Sequence, residues 1–145
     1  MMQRSFIWCS TLALFLGGCG GNEKLAPVSG TVKLNGKPVA DVEVIFQPIA
    51  GEAVNSPGPA AFGVTDSEGK YKLKVVGEDK AGATIGKNQI RFSGRASAAD
   101  FSEDGTKRGK PAVSIPARYS VGDSKIEFDV PPKGTTTADF ELKSP

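Results

Sequence analysis

A chain of 145 residues is sized for one domain with one modest core. Its formal charge of +2 is near balance, so no strong field draws the chain to nucleic acid or to an acidic membrane surface. Histidine is absent and the two cysteines, Cys9 and Cys19, fall at the N-terminus, so the body of the chain can form no internal disulfide, no cysteine or histidine metal site and no Ser-His-Asp triad.

The first residues read in three parts. "MMQRS" carries the charge of Arg4, "FIWCSTLALFL" (6–16) is an apolar or weakly polar run, and "GGC" supplies small residues. This is the order of a secretory signal. A spanning helix needs about 20 apolar residues, and here glycines break the run well before that. The stretch "LGGC", Leu16 to Cys19, resembles a bacterial lipobox. The resemblance implies a signal peptide over 1–18 and a mature chain starting at Cys19, whose sulfur carries a diacylglyceryl thioether, usually with an N-acyl chain such as palmitate. Each buried methylene adds about 0.8 kcal/mol, so two or three acyl chains hold a protein on a membrane where one does not. Residues 19–26 would be a short lipidated tether of about 25 Å at full extension.

From 27 to 145 the dominant period is two, which predicts strands. Val32 and Leu34 alternate with polar neighbours, then Asn35-Gly36 gives a strong hairpin signal, then Val42, Val44 and Phe46 alternate again. Phe62 and Val64 point one way, with Phe62 at inward parity, and lead to a turn over Asp66–Gly69, after which Tyr71, Leu73 and Val75 point inward while Lys70, Lys72 and Lys74 point out. Ile90 and Phe92 form a further strand. Ile126, Phe128 and Val130 pair with Ala138, Phe140 and Leu142 in an expected closing hairpin. No stretch of the mature chain holds a 3.6-residue period long enough for a substantial helix. About seven strands with one apolar face each must stack as two sheets, so the expected fold class is an all-β, two-sheet β-sandwich. Residues 47–60 and 94–114 are expected as loops outside it, the second long enough to be either functional or without fixed structure.

The order of these pieces is similar to the carboxypeptidase-regulatory-like, transthyretin-like β-sandwich domains, a relative in architecture of the immunoglobulin-like sandwiches. The matching positions are Gly30, Val32, Gly36, Pro38, Val39, Val44, Thr65, Asp66, Gly69 and Tyr71. The ending from Ile115 to Leu142, "IPARY…TADFEL", further resembles short lipobox-bearing bacterial envelope proteins. These are turn and core signatures, so the resemblance implies a fold and a cell-envelope location, and no activity.

Site candidates are few. Asp66, Ser67, Glu68 and Gly69 lack the ligand spacing of a calcium loop and fit a turn opened by Asp and closed by Gly. Asp100, Glu103 and Asp104 could hold a hard cation, but Lys107, Arg108 and Lys110 follow directly and neutralise them. Lys33 and Asp139 lie on strands that some bacterial sandwiches join by an isopeptide bond, but alternation points both to solvent. Transthyretin-like hydrolases rely on histidines that this chain lacks. Glu127 with Asp129 reads as a solvated strand face rather than an acid/base pair. Lys70, Lys72 and Lys74 make a basic stripe, and Glu127, Asp129, Asp139 and Glu141 an acidic face on the closing hairpin, a pattern that could guide docking to a partner or to anionic lipid but reads more simply as charge that keeps sheets from pairing edge to edge.

The expectation is a non-enzymatic, exported protein, lipid-anchored through Cys19 to a cell-envelope membrane, with no cofactor, no metal and no nucleic-acid partner. Its long loops would bind or support another envelope protein, with Phe101, Glu103, Asp104, Lys107, Arg108 and Tyr119 as the partner-binding residues. The alternatives are a structural lipoprotein that coats the membrane without a dedicated ligand and, more remotely, a metal-dependent binder or enzyme built from loop carboxylates.

Overall fold

The alternation along each apolar stretch is realised as strands. The computed structural model describes residues 24–50, 57–94, 113–120 and 124–144. In chain order the elements are β1 (Leu25–Ala26), β2 (Ser29–Leu34), β3 (Lys37–Pro38), β4 (Val42–Pro48), β5 (Ala61–Val64), β6 (Lys70–Lys72), β7 (Lys74–Val75), β8 (Ala83–Thr84), β9 (Gly86–Gly94), a one-turn helix α1 (Ala117–Ser120), β10 (Glu127–Val130) and β11 (Phe140–Leu142). One sheet has the order β10-β9-β4-β5-β7; a second is built on β2, flanked by β11 on one side and by β3 and β6 on the other. A small pairing of β1 with β8 completes the fold.

The two main sheets pack on each other through a core that takes every second residue. Val42, Val44 and Phe46 of β4 and Ile90 and Phe92 of β9 are buried from one side, Val32 and Leu142 from the other. The Phe140 ring, on β11, meets Phe46, Phe92 and Phe128 of the facing sheet edge-on at 6.2, 5.2 and 6.0 Å between centroids. Edge contacts of this kind add about 0.5–1.5 kcal/mol per pair beyond the burial itself.

Two turns follow directly from local chemistry. Asn35 and Gly36 both have positive φ, 52° and 80°, the requirement of a two-residue type I′ turn, and they join β2 to β3 with Leu34 opposite Lys37. At the other turn Asp66 accepts the Gly69 N–H on its carbonyl at 2.9 Å, and its carboxylate accepts the N–H groups of Glu68 and Lys70, both at 2.9 Å.

Several expectations need correction. The closing pair is not a hairpin: β10 pairs antiparallel with β9, whereas β11 pairs parallel with β2 in the other sheet. Pro131 and Pro132 have no N–H to continue a ladder, so the chain leaves one sheet there and joins the other. Phe62 and Val64 are half-buried on the outer face, while Ala61 and Gly63 point inward. The reason is a crossing strand: residues 70–75 pair first with β2 and then, past Leu73, with β5, and an added side chain at Gly63 would press on the Lys72 carbonyl. Gln47 and Pro48, expected in a loop, belong to β4. Leu25 and Ala26, expected in the tether, form β1, with Ala26 buried. The short helix α1 was not expected either.

Candidate functional site

Most of the expected site residues, Cys19, Phe101, Glu103, Asp104, Lys107 and Arg108, lie outside the described residues, as does the patch residue Asp100. What the structure does fix is where the flanking segments leave and rejoin the sandwich. Strand β4 is the ruler. At one of its ends Val42 pairs with Gly94, the last described residue before 95–112. At its other end Pro48 pairs with Asn88, close to where residues 51–56 begin. Seven residues of strand separate the two by about 20 Å. The two loops expected to act together are therefore rooted at opposite ends of the fold.

The Gly94 end also holds the Asn35–Gly36 turn, the end of β11 and α1. Helix α1 packs against β9, and Val113, Ile115 and Tyr119 bury part of their surface against the core. Tyr119, the one expected partner residue that is described, is half-buried rather than freely displayed. Its hydroxyl accepts the Lys143 N–H at 3.3 Å, and Arg118 lies over its ring at 4.8 Å while donating to the Lys143 carbonyl. The Lys143 N–H and the Arg118 side chain hold the Tyr119 hydroxyl below its ordinary titration range. The Asn35 side chain binds the same tail from the opposite flank, accepting the Ser144 N–H at 2.9 Å and donating to the Ser144 hydroxyl at 3.0 Å. Tyr119 thus helps to clamp the tail after β11, a structural task that strand periodicity does not reveal.

The carboxylates expected as an acidic face also have separate work. Asp139 accepts the Thr31 N–H and hydroxyl, both at 2.8 Å, and Glu141 accepts the Gly36 N–H at 2.7 Å. Both fix β11 to β2. Glu127 and Asp129 lie in the other sheet, so the four do not share one face. Lys33 and Asp139 are exposed, as alternation implied, and form no buried cross-link pair. Lys70 pairs with Glu68 at 2.5 Å and Lys74 with Asp79 at 3.5 Å.

Lys72 instead borders a hollow that sequence reading missed. Two adjoining open depressions, of about 610 and 660 Å³, share Ser29, Lys72 and Thr136. The only sequence signal for them is the run Thr135–Thr137, where the chain crosses between sheets. The Thr135 hydroxyl is engaged locally, accepting the Thr137 N–H at 3.2 Å.

The opposite end of β4 is where the described chain begins. The Lys24 carbonyl accepts the Ile85 N–H at 2.9 Å, and the Lys87 carbonyl accepts the Ile49 N–H at 3.0 Å. Among the described residues no group of Asp and Glu could hold a metal ion, and no helix is long and apolar enough to cross a membrane. Compared with known proteins, the chain matches no family model, no curated protein and no solved structure.

Proposed function

We propose that this chain is a lipid-anchored, non-enzymatic cell-envelope protein whose sandwich, of the transthyretin-like, carboxypeptidase-regulatory-like kind, holds a binding segment out toward an envelope partner. One observation carries the reading. Strand β1 begins six residues after Cys19, at one end of the fold, while Gly94, from which 95–112 departs, lies at the other. A tether of six residues spans at most about 20 Å, so an anchored domain keeps the Lys24 end near the membrane. Gly94, where the partner segment begins, then lies on the side away from it.

The resemblance gains support from the work its signature positions do. Gly36 sits in the type I′ turn, the Thr65 hydroxyl accepts the buried Val42 N–H at 3.0 Å, and Asp66 closes its own turn. All are tasks of fold construction, which fits a scaffold better than a catalyst. The anchor is tested with Cys19→Ala in the full chain, followed by membrane fractionation and intact mass. Release from the membrane, or failure of processing, is the expected result. A variant that stays in the membrane fraction and keeps the mass of the mature wild-type protein would contradict it.

A further inference from the structure

We infer that the Lys24 end of the domain is itself a membrane-docking face, which seats the anchored sandwich on anionic headgroups in one orientation. This rests on the lipid anchor at Cys19.

The surface asymmetry is the starting point. Among the described residues, the large apolar side chains left exposed are Ile49 and Val76, at 41% and 52%. Both sit at the Lys24 end. Ile49 follows β4 beside Lys87, and Val76 follows β7 with its N–H on the Ala60 carbonyl at 2.9 Å. Strand β5 lies between β4 and β7, so the two residues stand two strand spacings apart, about 10 Å across the sheet, along one rim. Ile85, half-buried against the core, lies at the same end, with its N–H on the Lys24 carbonyl.

Charge at this rim is arranged to match. Glu78 is paired with Lys80 at 2.7 Å and Asp79 with Lys74 at 3.5 Å. Lys24, Lys87 and Lys133 are exposed and make no ion pair among the described residues. Lys133 belongs here because the next residue, Gly134, abuts Pro27, and Asp129, opposite Lys87 on β10, is the acidic neighbour. A chain of near-balanced total charge thus places apolar tips and unpaired ammonium groups at the end its anchor holds to the bilayer. Apolar residues that enter the interface, flanked by lysines on lipid phosphates, are the chemistry of a peripheral membrane contact. With so short a tether, the local concentration of headgroups at this rim is high, so individually weak contacts suffice to orient the domain.

The test uses the full, lipidated chain in vesicles of phosphatidylethanolamine and phosphatidylglycerol. Ile49→Cys, Val76→Cys and, as a control at the opposite end, Lys37→Cys are each labelled with bimane, and emission and iodide quenching are recorded. Expected are blue-shifted emission and a several-fold lower quenching constant at 49 and 76 relative to 37, with the difference reduced in phosphatidylcholine vesicles. Labels at 49 and 76 quenched as readily as that at 37, on protein that co-floats with the vesicles, would overturn the docking face and leave the anchor standing. Protein that fails to co-float would overturn both.

Discussion

Tyr71 donates its hydroxyl to the Ala138 carbonyl at 2.6 Å, passing over Gly30, where an added side chain would overlap that same carbonyl. Three segments meet in this one contact: β6, β2 and the stretch that leads into β11. Tyr71→Phe leaves a buried carbonyl without its partner and is expected to cost about 1–3 kcal/mol. Gly30→Ala forces backbone apart and is expected to cost about as much or more. Urea unfolding of each variant measures both. Losses below a few tenths of a kcal/mol in either would show that the contact does not hold these three segments of the β2 sheet together.

The same tyrosine sets an alkaline limit. Burial, with the Asp139 charge as a second cause, holds its hydroxyl far above the ordinary value of 10.0. The folded state therefore keeps a proton that the unfolded chain releases above about pH 10, and stability is intact below that pH and falls above it. Tyr71→Phe is expected to lower stability at neutral pH and to flatten this fall. The chain has two tyrosines, and Tyr119 is held in the opposite direction. Absorbance titration is therefore expected to show one phenol ionising below its ordinary range and a second only as the protein unfolds, assigned by the Tyr119→Phe variant.

The Asn35–Gly36 turn joins β2 to the tail. Gly36→Ala places a Cβ at a φ of 80° and is expected to cost about 1–2 kcal/mol. Asn35→Gly keeps the turn geometry but removes both side-chain bonds to Ser144, and is expected to raise amide exchange at Ser144 with a smaller loss of stability. Equal exchange in wild type and variant would mean that Asn35 does not secure the tail.

Asp66 separates a turn from a cation site. Its carboxylate is committed to two backbone N–H groups, so Asp66→Ala is expected to cost about 1 kcal/mol with or without Ca²⁺. A rise in the wild-type melting temperature on adding Ca²⁺ that Asp66→Ala abolishes would reinstate a metal role for this turn.

Much of the fold was legible because strand alternation and turn chemistry act locally. Val42, Val44 and Phe46 faced inward as their period required, and Asn35-Gly36 turned as its φ preferences dictate. What escaped reading depends on contacts distant in sequence. The segment 70–75 keeps perfect alternation while changing sheets at Leu73, so its pattern carries no trace of the switch. The parallel pairing of β11 with β2 spans the whole domain, and a period-two signal is the same for either partner. Tyr119 looked like a display residue because its role depends on Lys143, which follows a strand more than twenty residues later. The hollow at Ser29, Lys72 and Thr136 is likewise made by three separate segments.

The most direct test of a domain held to the membrane at one end and engaged at the other is photo-crosslinking in intact cells. Probes are placed at Phe101, in the segment rooted at the Gly94 end, and at Lys72 on the flank, and products are identified by mass spectrometry. One recurrent envelope protein captured from position 101 and not from 72 is the expected result. Diffuse or self-only products from both positions would contradict it and leave a structural coat as the better description.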